Sequence, residues 1–136
     1  MEFLKWLARF GIVLGIFLAV DMIWLVFISR KFYASKLGYL MRDPVNWTAA
    51  LIFYAVFVVG ILFFVISPAL EKQSLGYAVL AGALFGLVTY ATYDLTNLAT
   101  IKDWPAIITV VDLAWGTTLS ALVSLVGYSA IRKWVP

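Results

Sequence analysis

Long apolar runs separated by short polar segments dominate the chain. A helix crosses the roughly 30 Å hydrocarbon core of a bilayer with about 20 mostly apolar residues. Four runs reach that length, and none alternates apolar and polar residues as the strands of a membrane barrel do. The pattern therefore predicts an all-α, polytopic integral membrane protein. We expect a four-transmembrane-helix bundle, with helices over about residues 6–28, 47–66, 75–100 and 105–131.

Polar residues and prolines mark the ends of these runs. The first is expected to stop at Ser29-Arg30-Lys31 and the second at Ser67-Pro68. The fourth begins at Trp104-Pro105, where proline suits a first helical turn because no N–H is needed there. We interpret the first run as a retained span, since it is long and contains Asp21. Residues 1–136 are thus expected to form a single membrane domain.

The segment from Ser29 to Asn46 is the longest predicted loop, and it is basic. We expect it to lie on the membrane surface against anionic headgroups. Lysines and arginines number five on each face of the predicted bundle, so the positive-inside rule does not orient the chain. This tie leaves room for insertion in both orientations and for a homo-oligomer.

The amino-acid composition excludes several kinds of functional site. Hydrophobic residues make up 65% of the chain and charged residues 12%, with no histidine and no cysteine. Disulfides, Cys/His zinc sites and Ser-His-Asp arrangements are excluded. We therefore expect no metal site and no cofactor. The basic residues flank membrane spans, so lipid is the expected partner and nucleic acid is not.

Three aspartates lie inside the predicted spans: Asp21, Asp94 and Asp112. An ionised aspartate at the centre of a span costs several kcal/mol, on the order of 3, so such residues usually face a protein interior or water. Asp21 precedes Arg30 by nine residues, Asp94 precedes Lys102 by eight, and Asp112 follows Trp104 by eight. At about 1.5 Å per residue, each lies roughly 12 to 14 Å from one face. We expect one layer of carboxylates, open toward the basic loop.

Polar and aromatic neighbours extend this candidate site. Tyr90, Asp94 and Asn97 share a helix face, and Tyr93 lies on an adjoining polar stripe. The first and fourth runs both contain Val-Asp-x-x-Trp, which places Trp24 and Trp115 one turn from an aspartate. Gly82-x-x-x-Gly86 matches the small-residue motif of close helix packing, so the third helix is expected to pack centrally through that face.

The whole chain resembles an uncharacterised bacterial family, domain of unknown function 2177, of small four-helix membrane proteins. The resemblance rests on three segments: Asp21–Trp24, Tyr93–Thr100 followed by Trp104-Pro105, and Asp112–Gly116. It implies a multi-pass protein of the bacterial inner (cytoplasmic) membrane. The family brings no established activity.

Three functions remain open on this evidence. The aspartates could bind or transport a proton, a cation or a cationic small molecule, in which case a small four-helix chain is expected to form an oligomer. They could instead serve as acid and base in a membrane-embedded enzyme, or its accessory subunit, that modifies a lipid. In a purely structural partner subunit, internal hydrogen bonds from tyrosine, tryptophan or Lys102 would satisfy them.

Overall fold

A computed structural model describes all 136 residues. The chain folds into four long helices, and it contains no strand. Helix α1 spans Glu2–Leu37, α2 spans Trp47–Glu71, α3 spans Leu75–Thr100 and α4 spans Ala106–Trp134. Each is long and apolar enough to cross a membrane. The predicted class, an all-α membrane protein with four transmembrane helices, is confirmed.

The outer surface of the bundle is apolar. Only 27 residues are buried, while large side chains such as Phe27 and Leu80 are 80% and 74% exposed. A water-soluble protein rarely exposes apolar surface on this scale. In a bilayer these side chains contact lipid, which is the environment that the sequence predicts.

Helix α1 is longer than its apolar run. It begins at Glu2 and continues through Ser29-Arg30-Lys31, where the sequence predicts a loop, to Leu37. A π-helical segment, Trp24–Ser29, lies within it. The continuation is possible because arginine and lysine are good helix formers although they end the apolar run. With 36 residues, α1 is about 54 Å long, so its basic end extends beyond the hydrocarbon core.

Helix α2 also continues past its predicted end at Ser67-Pro68, as far as Glu71. A second π-helical segment, Leu62–Ile66, immediately precedes this point. Proline lacks the N–H that would bond to the preceding turn, and local π-helical adjustment is one way in which membrane helices tolerate it. The turn between α2 and α3 therefore contains only residues 72–74.

Helices α3 and α4 form the closest pair in the bundle. A Cβ atom added to Gly82 would overlap the Ser124 side chain, and one added to Gly86 would overlap the backbone oxygen of Gly116 and the Ser120 side chain. The two helix backbones can approach this closely only because glycine and serine occupy the contact. The predicted packing through the Gly82/Gly86 face is present.

The remaining two helices pack against this pair through an apolar core. Val13 and Phe17 of α1 and the region 57–66 of α2 meet Leu119 and Val123 of α4. Contacts between α2 and α3 are concentrated in the C-terminal part of α2, from Phe57 onward. Near the N-terminal end of α2 the two helices therefore leave a gap.

Candidate functional site

The glycine and serine contact sets the register between α3 and α4. Its α3 positions, 82 and 86, continue in steps of four residues to Tyr90 and Asp94. On antiparallel α4 the matching positions, 124 and 120, continue to Gly116 and Asp112. A Cβ atom at Gly116 would overlap the Tyr90 ring, so the series holds at the third step. The fourth step brings Asp94 opposite Asp112.

Asp94 and Asp112 form a carboxyl pair. The Asp94 side chain is completely buried, and the register set by the glycine contacts places it opposite Asp112. Neither carboxyl oxygen of Asp94 has a hydrogen-bond partner. Thr109 instead donates to the backbone oxygen of Asp94, at 3.2 Å, and accepts a bond from the Trp104 indole at 3.1 Å. The Asp94 carboxyl is therefore left facing a second carboxyl.

Tyr33 of α1 donates a hydrogen bond to Asp112 Oδ1. Twelve residues separate Asp21 from Tyr33, which in an uninterrupted α-helix places them about 120° apart around the axis. The π-helical segment Trp24–Ser29 uses more residues per turn and so delays this rotation. Tyr33 consequently lies on the side of α1 that faces the bundle interior.

Asp21 occupies a separate position on α1 and is 7% exposed. The Tyr54 hydroxyl of α2 donates to Asp21 Oδ2 at 3.5 Å, and Trp115 lines the same cavity as this carboxyl. Trp24 stacks on Trp115, with ring centroids 4.4 Å apart and planes inclined by 8°. The repeated Val-Asp-x-x-Trp segments thus meet through their tryptophans.

These side chains enclose an outward-opening cavity of about 320 Å³. All four helices contribute to its wall, and eight of its ten lining residues are hydrophobic or aromatic. The lining residues are Asp21, Trp24, Leu25, Tyr33, Ala50, Phe53, Tyr54, Tyr90, Asp112 and Trp115. We call this space the aromatic cavity. Tyr90 is the single α3 residue in this wall.

No basic side chain neutralises the carboxyls. The sole ion pair joins Lys5 to Glu2 at 4.0 Å, far from the aspartates in sequence, and Lys102 makes none. The three aspartates also do not converge in a cluster able to hold a metal ion. The aromatic cavity is therefore acidic and contains no counter-charge from the chain.

The structure brings together most of the sequence-predicted site residues, but not all. Five of them line the aromatic cavity: Asp21, Trp24, Tyr90, Asp112 and Trp115. Asp94 is completely buried and lines neither this cavity nor the neighbouring space beside Tyr93. Tyr93 is 56% exposed and borders a neighbouring space that also reaches Asp112. Asn97 is half-buried beside Tyr93, away from both spaces.

Sequence reasoning missed two polar contributors, Tyr33 and Tyr54. Tyr33 falls in a basic segment that predicts a surface loop. Aromatic rings in such segments are typical of the membrane interface and do not by themselves indicate a binding site. Tyr54 lies well inside a strongly apolar run, and its hydroxyl is a usable signal because a buried tyrosine O–H usually finds a partner.

Comparisons with other proteins identify the family of this chain. A family model described as predicted membrane protein (DUF2177) matches residues 6–129. Neither the curated proteins nor the solved structures give a match. Because the matched region covers almost the entire chain, including all three aspartates, the chain belongs to the DUF2177 family of predicted membrane proteins.

Proposed function

We propose that the aromatic cavity binds a small organic cation, with Asp21 and Asp112 supplying the negative charge. One observation carries the proposal: two carboxyls line an open, aromatic-walled cavity and have no basic partner in the chain. Carboxyls inside a membrane protein are expensive to keep uncompensated, so a bound cation would stabilise them. Aromatic faces attract organic ammonium groups through their electron-rich surface.

The wall chemistry favours an organic cation over a metal ion. Calcium and magnesium prefer six or more oxygen ligands arranged around one point. Here Asp21 and Asp112 lie in a wall made largely of aromatic rings, and no cluster of acidic side chains surrounds a single point. A positive group surrounded by alkyl substituents matches both the carboxyls and the aromatic rings of the wall.

We further propose that the protein carries such a cation in the bacterial inner membrane. The four apolar helices and the match to a family of predicted membrane proteins support a membrane location, and the resemblance found in the sequence implies a bacterial inner membrane. The outward opening of the aromatic cavity supports a homo-oligomer, because a second copy could cover the opening during transport.

A second candidate function rests on the carboxyl pair. Asp94 and Asp112 lie opposite each other in the α3–α4 register, and two neighbouring carboxyls can act as acid and base. On this alternative the protein would act on a lipid that enters the aromatic cavity. Turnover of a lipid by the purified protein, lost in both Asp94→Asn and Asp112→Asn, would favour it over cation binding.

Thermal unfolding of the detergent-solubilised protein tests the main proposal. Tetramethylammonium, sodium and potassium are compared as ligands for wild type, Asp21→Asn and Asp112→Asn. Asp103→Asn is the matched control, because Asp103 is exposed in the α3–α4 turn at a positive φ of 62° that asparagine also adopts readily.

A ligand that binds the folded state raises the unfolding midpoint. We expect tetramethylammonium to raise it for wild type and Asp103→Asn, and to have little effect on Asp21→Asn and Asp112→Asn. Sodium and potassium at equal ionic strength should give smaller shifts. Equal shifts in all four proteins, or no shift in wild type, would contradict the proposal.

A further inference from the structure

A second space adjoins the aromatic cavity, between α2 and α3. It has a volume of about 480 Å³ and is lined by Phe53, Phe57, Thr89, Tyr90, Tyr93 and Asp112. We call it the α2–α3 gap. Its walls are mainly aromatic, and Asp112 is its single charged residue. The gap therefore combines a long apolar wall with one carboxyl.

The α2–α3 gap and the aromatic cavity are neighbours. Phe53, Tyr90 and Asp112 line both spaces. A group bound at Asp112 can therefore reach Trp24 and Trp115 in the aromatic cavity. It can also reach Phe57 and Thr89 in the gap. One ligand could occupy both spaces at once.

The gap leads from the bundle interior to the outer surface. Asp112 is 8% exposed, whereas Phe53 and Tyr93, on the two sides of the gap, are about half exposed. Toward the C-terminal half of α2 the gap is closed by Phe57, which packs on Phe85 of α3 with ring centroids 5.3 Å apart. The opening is therefore lateral and lies between the two helices.

This lateral opening faces the hydrocarbon region. Phe53 lies six residues from the start of α2, and Tyr93 lies seven before the end of α3, which places both about 10 Å below the same helix ends. Val56 and Val88, on the outer faces of these helices, are 65% and 55% exposed, as expected of lipid-facing residues. A molecule in the gap would extend into acyl chains.

We infer that the ligand is an amphipathic cation, an ammonium headgroup with an apolar chain. This inference rests on the proposed function and specifies its ligand class. The headgroup binds at Asp112 and the aromatic cavity, and the chain passes through the α2–α3 gap into the bilayer. The lateral opening also supplies the entry route, because such a molecule partitions into the membrane before it binds.

A chain-length series tests this inference. Tetramethylammonium, butyltrimethylammonium and hexyltrimethylammonium share one headgroup and differ in the apolar chain. Their affinities are measured by calorimetry on protein in lipid nanodiscs. Thr89→Trp fills the gap, and Thr92→Trp is the matched control, since Thr92 is exposed on the same helix and lines neither space. Partition of the chain into lipid is the same for all variants, so it cancels from their comparison.

We expect affinity to rise along the series, by up to about fourfold per methylene that enters the gap. The rise, taken relative to each variant's own tetramethylammonium affinity, should persist in Thr92→Trp and disappear in Thr89→Trp. Saturable tetramethylammonium binding to Thr89→Trp shows that this variant folds. Should it not fold, Thr89→Leu provides a smaller filling group, and the rise should be reduced.

The remaining outcomes separate the two proposals. If wild type binds tetramethylammonium but Thr89→Trp and Thr89→Leu retain the full chain-length rise, the amphipathic ligand is wrong and the organic-cation site stands. If wild type binds none of the three cations, or if Asp112→Asn binds them equally well, the organic-cation site is itself wrong, and the inference fails with it.

Discussion

The Tyr33 hydroxyl donates a hydrogen bond to the Asp112 carboxyl, although 79 residues separate the two along the chain. A second tyrosine of the same region, Tyr39, donates to the backbone oxygen of Asp103 at 2.9 Å. Together these bonds hold the basic end of α1 against the α3–α4 end of the bundle. Tyr33 thereby connects a segment beyond the apolar run to the interior carboxyls.

Removal of the Tyr33 hydroxyl should destabilise the unliganded protein. In Tyr33→Phe the Asp112 carboxyl loses its donor, and a buried acceptor left unsatisfied costs about 1–3 kcal/mol. The control is Tyr39→Phe, whose hydroxyl bonds to an exposed backbone oxygen that water can satisfy. Unfolding free energies in mixed micelles measure both. Equal unfolding free energies for the two variants would show that the Tyr33 hydrogen bond stabilises the protein no more than the Tyr39 hydrogen bond does.

Substitution of Gly86 should weaken the α3–α4 contact. In Gly86→Ala the new methyl group meets the backbone oxygen of Gly116, and overpacking of this kind costs about 1–3 kcal/mol. Gly15→Ala is the control, because its methyl group meets nothing within 4 Å. The control should be neutral, or stabilised by up to about 1 kcal/mol through helix propensity. If thermal unfolding of the two variants is indistinguishable, the proposed register contact does not limit stability.

The carboxyl pair predicts different results for two substitutions of Asp94. In Asp94→Asn the side-chain amide can donate to Asp112, so the free energy of unfolding should stay within about 1 kcal/mol of wild type. Asp94→Ala provides no donor and leaves a space, so it should lose more, about 1–3 kcal/mol. Chemical unfolding in detergent distinguishes them. A greater loss for Asp94→Asn than for Asp94→Ala would argue against the pair.

The stacked tryptophans should contribute to cation affinity. Trp24→Leu removes one aromatic face from the cavity, and a cation–π contact of about 0.5–2 kcal/mol corresponds to a roughly 2- to 30-fold loss of tetramethylammonium affinity. Trp6→Leu is the control, since Trp6 packs on Phe10 and lines neither the cavity nor the gap. Calorimetric titration compares the two variants. An equal loss of tetramethylammonium affinity in both would show that the aromatic wall does not contribute to cation binding.

The four spans could be predicted because apolar length is a local property of the sequence. The boundaries of α1 and α2 could not, since Ser29-Arg30-Lys31 and Ser67-Pro68 interrupt the apolar runs while π-helical segments keep the helices continuous. Hydropathy records where lipid contact ends. It does not record where backbone hydrogen bonding ends.

The site was partly predictable for a similar reason. An ionised carboxyl inside a membrane costs free energy, so the sequence alone identifies Asp21, Asp94 and Asp112 as candidate site residues. Which of them share a cavity depends on helix register, which the contact of Gly86 and Gly116 sets. Tyr33 reaches Asp112 because the π-helical segment Trp24–Ser29 changes the direction in which Tyr33 points from α1. The local sequence does not predict that segment.

The most direct test of the central claim is equilibrium dialysis of radiolabelled tetramethylammonium against the purified protein in nanodiscs. Wild type and Asp103→Asn should bind one cation per chain, and the Asp21→Asn/Asp112→Asn double variant should bind almost none. Absence of saturable binding to wild type, or equal binding to the double variant, would contradict a cation site between these two carboxyls.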